Sequence, residues 1–227
     1  MFDPASVSLA GLHHSVYVRF SLLALSSIFF LVDPFAALPT FLAVTEGVTA
    51  THRRAMARKA SLTAWLVLSA FAVAGEYIFK MFGITLPAFE IAGGVILLLI
   101  GLDMLEAKRS ATQEASGETE DAANKDDAGI VPLGIPMLAG PGSITAVMVL
   151  VGQVQTHWQM LAILAAIFVT AAISYFVLGN SDKVSTMLGE TGIRILVRIM
   201  GLLLVALAVQ YFVNGMVDLG VISKPLD

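Results

Sequence analysis

The sequence predicts an all-α polytopic membrane protein with six transmembrane helices, arranged as two inverted-topology repeats of three helices in which the first and fourth helices are broken. The 227 residues are 57 % hydrophobic and 13 % charged, with a mean hydropathy of +0.85, which is too apolar for a soluble domain. A helix needs about 20 apolar residues to cross the hydrocarbon core, so the length suits about six helices. The breaks come from two interrupted apolar runs, one in each half of the chain.

The first helix is expected over residues 17–44, after a short lead. Asp33 and Pro34 interrupt this run near its middle, and Pro39 follows. Proline lacks an N–H and clashes with the preceding turn, so each proline frees backbone carbonyls that hydrocarbon cannot satisfy. We therefore expect a half-helix that restarts at Pro34 and faces protein or a wet cavity.

The other helices follow from their apolar runs. The second and third are expected over residues 60–81 and 87–105, and the fifth and sixth over residues 157–178 and 193–217. The fourth is expected over residues 130–154, and its break comprises Gly140, Pro141, Gly142 and Ser143. Residues 106–129 carry seven acids against three bases and too little apolar content to fold, so they predict a flexible acidic linker. The domains are then a first repeat, 1–105, the linker, 106–129, and a second repeat, 130–227.

The two halves share a register. An offset of 107 residues carries Pro34 onto Pro141, Asp103 onto Gln210, and one glycine of the third helix onto one of the sixth. With three helices per half, the second half must cross the membrane in the opposite sense. Corresponding broken helices in two inverted halves indicate the substrate site of a transporter.

Basic residues predict the orientation. Ten of them fall in connections on one side of the membrane: Arg53, Arg54, Arg58, Lys59, Lys108, Arg109, Lys125, Lys183, Arg194 and Arg198. The other side carries only three: Arg19, Lys80 and Lys224. Because basic residues collect in cytoplasmic loops, both termini are expected on the periplasmic or extracellular side.

Asp33 is the only carboxylate that we expect deep in the membrane. A charge there costs about 2.5–3.5 kcal/mol on insertion scales, which indicates a function such as binding a substrate ammonium or carrying a proton. A helix cap is the alternative, since Asp is a favoured N-cap residue. The restarting half-helices would direct N–H groups at an anionic group such as a carboxylate.

Four hydroxyl side chains lie near the breaks, namely those of Thr40, Thr45, Ser143 and Thr145. They either contact a small polar solute or bond back to carbonyls of their own helices. Asp103 and Gln210 are either mirror-related gate residues or polar residues at the membrane interface. The candidate substrate-binding residues are Asp33, Pro34, Pro39, Thr40, Thr45, Gly140, Pro141, Gly142, Ser143 and Thr145.

Several classes of function are excluded. The chain has no cysteine, which excludes disulfides and thiolate metal sites. Outside the linker its charges balance, so it has no nucleic-acid footprint. No phosphate-binding loop, deep histidine or nucleophile–base pair is visible. We therefore expect neither an enzyme nor a cofactor or metal site.

Three segments carry a family resemblance: VDPFAALPTFLAVTEG (32–47), FEIAGGVILLLIGLDML (89–105) and GIPMLAGPGSITAVMVL (134–150). On these the sequence resembles the MarC family of multiple-antibiotic-resistance-related inner-membrane proteins. The resemblance implies a six-span bacterial inner-membrane protein related in architecture to LysE-type exporters, with small neutral amino acids as an associated substrate class. Its motif positions here are Asp33, Pro34, Pro39, Thr45, Gly140, Pro141, Gly142 and Ser143. At Ala36 and Ala37 the chain departs from the family pattern, in which a glycine is expected.

These observations favour a secondary transporter or exporter of a small polar solute, with neutral amino acids first, working by alternating access around a midplane site. The expected partners are that solute, a coupling proton as an option, and the lipid bilayer; a homo-oligomer is left open. The alternatives are an inorganic-cation carrier, disfavoured because divalent ions want several oxygen ligands, and a membrane scaffold or regulator that recruits a partner through the linker.

Overall fold

The computed structural model describes residues 4–106 and 133–223, and over these ranges the chain is helical with short connections and no β-strand. The helices are α1 (Pro4–Val32), α2 (Ala37–Val44), α3 (Ala50–Phe82), α4 (Leu86–Leu105), α5 (Leu133–Leu138, a short π-helical turn), α6 (Pro141–Gly152), α7 (His157–Gly179) and α8 (Ser181–Asp218). The predicted all-α class is confirmed. The predicted linker lies outside the described residues, except for Glu106.

Four described helices are long and apolar enough to cross a membrane, namely α3 over Ala50–Gly75, α4, α7 and α8. The pair α1 and α2, bent by 45° between Val32 and Ala37, makes a fifth if it forms one span. The predicted fourth span is represented by α5 and by α6, an apolar helix of 12 residues. Residues 130–132 of that span lie outside the described part of the chain.

Two helices begin earlier than predicted. α1 begins at Pro4 instead of residue 17, and α3 begins at Ala50 instead of 60. Hydropathy locates only the part of a helix that suits hydrocarbon, whereas a helix continues into polar sequence when its end is capped. At α3 the Thr49 hydroxyl accepts a hydrogen bond from the backbone N–H of His52 at 3.4 Å.

The helix α8 is interrupted at Gly189, whose backbone is left-handed at φ 64° and ψ 169°. Glycine adopts this conformation without a steric penalty. The break separates a short segment after Ser181 from a long apolar segment, which is the part that the sequence predicts as the sixth helix. Gly83, with φ 65°, ends α3 in the same way.

Small residues bring α4 and α8 into close contact. A Cβ atom at Gly94 would lie 2.8 Å from the backbone oxygen of Ala208, and one at Gly101 would lie 2.9 Å from that of Gly201. As the residue numbers of these contacts increase along α4, those of their partners decrease along α8, so the two helices run antiparallel. Small residues at such contacts let helix backbones approach within a membrane.

A second antiparallel pair is formed by α3 and α7. The rings of Trp65 and Phe168 lie 6.4 Å apart in an edge-on arrangement, while Gly179 lies beside Ala57. A large buried cluster joins this pair to both broken regions. A second cluster joins α4, α6 and α8.

Arg53 joins two connections on one face of the molecule. Its guanidinium forms an ion pair with Asp182, at the start of α8, and donates to the carbonyl oxygen of Thr45, at the end of α2, at 3.3 Å. The α2–α3 and α7–α8 connections therefore lie on the same side of the bundle.

Candidate functional site

The first break lies between α1 and α2 and is centred on Asp33. The backbone of Asp33 is left-handed, with φ 41°, a conformation that Asp tolerates better than most residues. Its N–H still donates to the carbonyl of Phe29 at 3.0 Å, as the last bond of α1. The chain then turns through residues 34–36 before α2 begins at Ala37. The predicted restart at Pro34 is therefore wrong by three residues, because the left-handed residue ends one helix and a turn must precede the next.

The two carboxylate oxygens of Asp33 differ in their surroundings. Oδ1 accepts a hydrogen bond from the backbone N–H of Ala36 at 3.1 Å, so it caps the turn that leads into α2. Oδ2 is buried and has no hydrogen-bond partner among the described residues. The side chain is 6 % exposed. One oxygen thus holds the break together, whereas the other is buried without a hydrogen-bond partner among the described residues.

Pro34 and Pro39 differ in their roles. Pro34 is buried in the turn, whereas Pro39 is exposed and stands third in α2. A residue in the first helical turn needs no N–H, so Pro39 does not interrupt α2. The carbonyl of Phe35 accepts from Leu38 N–H at 3.2 Å. The prediction that Pro39 frees this carbonyl is therefore wrong.

The second break lies between α5 and α6. Ile135, within α5, has an extended backbone (φ −135°, ψ 130°), and the extended Gly140 immediately precedes Pro141, the first residue of α6. The hydroxyl of Ser143 lies 2.9 Å from the carbonyl oxygen of Leu138 and 3.0 Å from that of Gly140. It therefore ties α6 to the chain before the break and gives the Leu138 carbonyl a donor, whereas the Gly140 carbonyl also accepts from the backbone N–H of Ile144 at 3.0 Å.

The threonine hydroxyls bond within their own helices. Thr45 donates to the carbonyl of Phe41 at 2.7 Å, and Thr145 donates to that of Pro141 at 2.8 Å. Both side chains are buried, as is that of Thr40. A hydroxyl that donates in this way still has lone pairs that can accept from a ligand, so a contact with a solute stays a prediction for these residues.

The two breaks flank one buried cluster. The helix α1 packs against α6, and α2 packs against α5. Side chains from before and after each break share the cluster: Ile28, Val32, Leu38 and Phe41 from the first, and Leu133, Leu138, Ala139 and Val147 from the second. The geometry therefore assembles the two predicted halves of the site, with Pro34, Gly140, Gly142 and Ser143 all buried.

Asp103 and Gln210 lie apart from this region. Asp103 is two residues beyond the contact of Gly101 with α8, and Gln210 is two residues beyond the contact of Ala208 with α4. Since those helices are antiparallel, the two side chains lie toward opposite ends of the pair. Gln210 donates to the amide oxygen of Asn214 at 2.7 Å. Their role as gates stays a prediction.

Glu90 is a buried carboxylate that the sequence analysis missed. It lies one turn into α4 with 2 % exposure, and its Oε2 atom has no hydrogen-bond partner among the described residues. In the sequence, Glu90 lies inside an apolar run, one turn after the predicted helix start. That position is equally compatible with burial and with the membrane interface. Among the described residues, no group of three or more His, Cys, Asp or Glu side chains is placed to hold a metal ion.

Comparison with known proteins gives one family. A family model described as MarC family integral membrane protein matches residues 18–219. A UPF0056 membrane protein of Methanocaldococcus jannaschii is 43 % identical over 198 residues, covering 87 % of this chain and 96 % of the relative. UPF0056 membrane protein YvbG of Bacillus subtilis is 36 % identical (86 % and 90 % covered), and YhcE of Escherichia coli is 30 % identical (88 % and 91 % covered). No solved structure matches.

Proposed function

Since the chain belongs to the MarC family of integral membrane proteins, we propose that it is a secondary transporter or exporter of a small polar solute, with small neutral amino acids as the substrate class. The observation that carries the proposal is the unpartnered, buried Oδ2 of Asp33 at a broken helix that packs near a second broken helix. An ionisable side chain inside a membrane protein indicates a substrate or proton site. The proposal involves no catalysis.

Helix pairing supports six membrane-spanning segments in two inverted repeats. The offset of 107 residues carries Ala50, the first residue of α3, onto His157, the first residue of α7. It also carries α4 onto the apolar part of α8. Each helix therefore packs antiparallel against its own counterpart, as expected when the two halves cross the membrane in opposite directions.

Individual contacts follow the same symmetry. The offset carries Gly94 onto Gly201 and Gly101 onto Ala208. The offset therefore maps the contact between Gly94 and Ala208 onto a contact between Gly201 and Gly101. The structure contains both contacts. Such an exchange is what a two-fold axis between two equivalent halves produces. On this basis the halves are residues 1–105 and 130–227, joined by the acidic linker 106–129.

An amino acid fits the polarity of the two breaks. In the proposed site, Oδ2 of Asp33 accepts hydrogen bonds from the ammonium group. The first N–H groups of α6, at Gly142 and Ser143, precede the first intrahelical bonds and attract the carboxylate. In the proposed site, the buried side chains of Thr40, Thr45 and Thr145 offer lone pairs to the solute.

Transport then requires the site to open to each side in turn. We place the site near the midplane of the bilayer, with the two repeats rocking about it. Asp33 also serves as the proposed carrier of a coupling proton, since protonation removes the charge that would otherwise hold the ammonium. The solute would be released when Asp33 takes up that proton.

The proposed orientation has both termini on the periplasmic or extracellular side of a bacterial inner membrane. Basic residues in the α2–α3 and α7–α8 connections support it, as does the ion pair of Arg53 with Asp182, which joins these two connections.

The test is uptake of labelled glycine, alanine and serine into proteoliposomes, with and without a proton gradient. Wild-type protein should take up at least one of them, and Asp33→Asn should abolish gradient-dependent uptake. Glu46→Gln is the matched control, because Glu46 is exposed and loses the same charge. If folded protein takes up none of the three, the amino-acid assignment is wrong. The remaining alternatives are then another solute, an inorganic cation or a scaffold function.

A further inference from the structure

We propose that Glu90 is a proton-binding residue, which takes up and releases a proton at the junction of α4, α6 and α8. This is a second ionisable site, separate from Asp33. Its link to transport rests on the proposed function, whereas its ability to bind a proton does not.

One face of α4 next to Glu90 packs against α6. A Cβ atom at Gly93 would lie 2.0 Å from Cγ2 of Thr145, and the side chain of Leu86 lies 2.5 Å from the position of a Cβ at Gly152. Leu86 and Gly93 lie one turn before and one turn after Glu90. Since residues three or four apart share a helix face, Glu90 borders the α6 contact.

The adjacent face of α4 packs against α8. The backbone oxygen of Pro87 lies 2.7 Å from the position of a Cβ at Gly215, and Gly94 approaches Ala208 to a similar distance. Pro87 and Gly94 also lie one turn to either side of Glu90. Its side chain therefore starts between the two contact faces, at the junction of three helices, which explains its 2 % exposure.

The cations of α8, Lys183, Arg194 and Arg198, precede Gly201, which contacts α4 at the end away from Glu90. In α3, Lys80 follows Phe79, whose ring packs on that of Phe89. The helix α6, PGSITAVMVLVG, contains no titratable side chain. From α8, the buried phenol of Tyr211 and the carboxylate of Asp218 are close enough to interact electrostatically with Glu90. Asp218 is exposed at the end of α8. A charged Glu90 would therefore be buried with a second negative charge within electrostatic range.

A proton is the ligand that this arrangement suits. An unpaired carboxylate costs several kcal/mol to bury, and binding a proton removes its charge. A calcium ion would need about 6–8 oxygen ligands, which one carboxylate and one phenol do not supply. The protonated side chain also becomes a hydrogen-bond donor, for which the Tyr211 hydroxyl is a candidate acceptor.

The position of Glu90 allows its protonation to influence the transport cycle. The Gly93–Thr145 contact, one turn away, holds α4 against the first turns of α6, where we place the solute carboxylate. Charging or neutralising Glu90 changes the energy of this packing. Binding of a proton at Glu90 would therefore favour one of the two arrangements of α6 in which the proposed site opens to one side of the membrane or to the other.

The first test is an infrared titration of the full-length protein in liposomes, with no solute present. Wild-type protein should show a carboxylic-acid C=O band that disappears as pH rises, and Glu90→Gln should lose one such titrating group per chain. Glu46→Gln removes only an exposed carboxyl and should keep the band of the buried carboxyl that Glu90→Gln loses. A titration that is the same in Glu90→Gln and wild type would overturn the proposal. Should Glu90→Gln fail to fold, Glu90→Asp replaces it, and its band should move; an unmoved band would equally refute the assignment.

The second test measures the link to transport. In Glu90→Gln, labelled alanine should still exchange across the liposome membrane, while stimulation by a proton gradient should be lost. Stimulation equal to that of wild type would remove Glu90 from the transport cycle. If wild-type protein moves no amino acid but the infrared band depends on Glu90, the proposed substrate class fails and the proton site stands.

Discussion

Replacing Gly94 by alanine is expected to separate α4 from α8. A Cβ atom at Gly94 would lie 2.8 Å from the backbone oxygen of Ala208 and 3.3 Å from the backbone nitrogen of Phe212. Because these are backbone atoms, a helix must move to make room. Such overpacking costs about 1–3 kcal/mol, while alanine gains up to about 1 kcal/mol over glycine in a helix interior. The net effect is a loss of up to about 2 kcal/mol.

Gly192→Ala provides the matched control. Gly192 lies in α8, and a Cβ there would meet only the Cβ of Leu188, at 3.4 Å. Its substitution therefore brings no clash, although Gly192 lies in the first turn after the break at Gly189 and gains less helix propensity than an interior position. Gly94→Ala should be the less stable variant by up to about 3 kcal/mol, which corresponds to up to about 12 °C in Tm for a chain of this size.

The assay is thermal unfolding in detergent micelles, followed by the fluorescence of Trp65 and Trp158. Gly94→Ala should unfold at a lower temperature than Gly192→Ala. If Gly94→Ala unfolds at the same temperature as the control or above it, the backbones of α4 and α8 do not approach at Gly94, and the symmetric contact that supports the inverted repeat is lost.

Three other predictions concern the breaks and the connections. Ser143→Ala should lower the stability in the same unfolding assay by about 1–3 kcal/mol, since the buried Leu138 carbonyl loses its donor. Ser174→Ala, which removes a bond back along a continuous helix, should cost less, and equal losses would contradict the role of Ser143 at the break. A double-mutant cycle on Arg53 and Asp182 should give a coupling energy of about 0.2–1 kcal/mol. Arg53→Ala should be the more destabilising single change, because the Arg53 guanidinium also donates to a backbone carbonyl. A coupling energy of zero would argue against the ion pair. Deletion of residues 110–124 should leave proteoliposome uptake intact, whereas its loss would favour the scaffold alternative.

The positions of both breaks follow from local chemistry. Proline at residues 34 and 141 cannot continue the helix before it, and no tertiary information is needed to see this. The role of Pro39 depends instead on the residue at which α2 begins. Because Asp33 takes a left-handed backbone and three further residues form a turn, α2 starts late enough for Pro39 to fit its first turn. The sequence does not specify that register.

The burial of Glu90 could not be predicted because it is a property of three packed helices. One turn from a helix start, a glutamate is equally compatible with the membrane surface. Only the close contacts of α4 with α6 and α8 enclose it. Helix starts were missed for a related reason, since a polar helical extension such as the one that follows Thr49 has no hydropathy signal.

The central claim is that Asp33 holds the ammonium group of a solute at the meeting of two broken helices. Equilibrium binding of labelled alanine to purified protein tests it most directly, since it separates binding from coupling. A charge-assisted hydrogen bond contributes about 1.5–3 kcal/mol, so Asp33→Asn should bind alanine about 10- to 150-fold more weakly than wild type. Glu46→Gln should bind it as wild type does. Equal alanine affinity in Asp33→Asn and wild type would contradict the account.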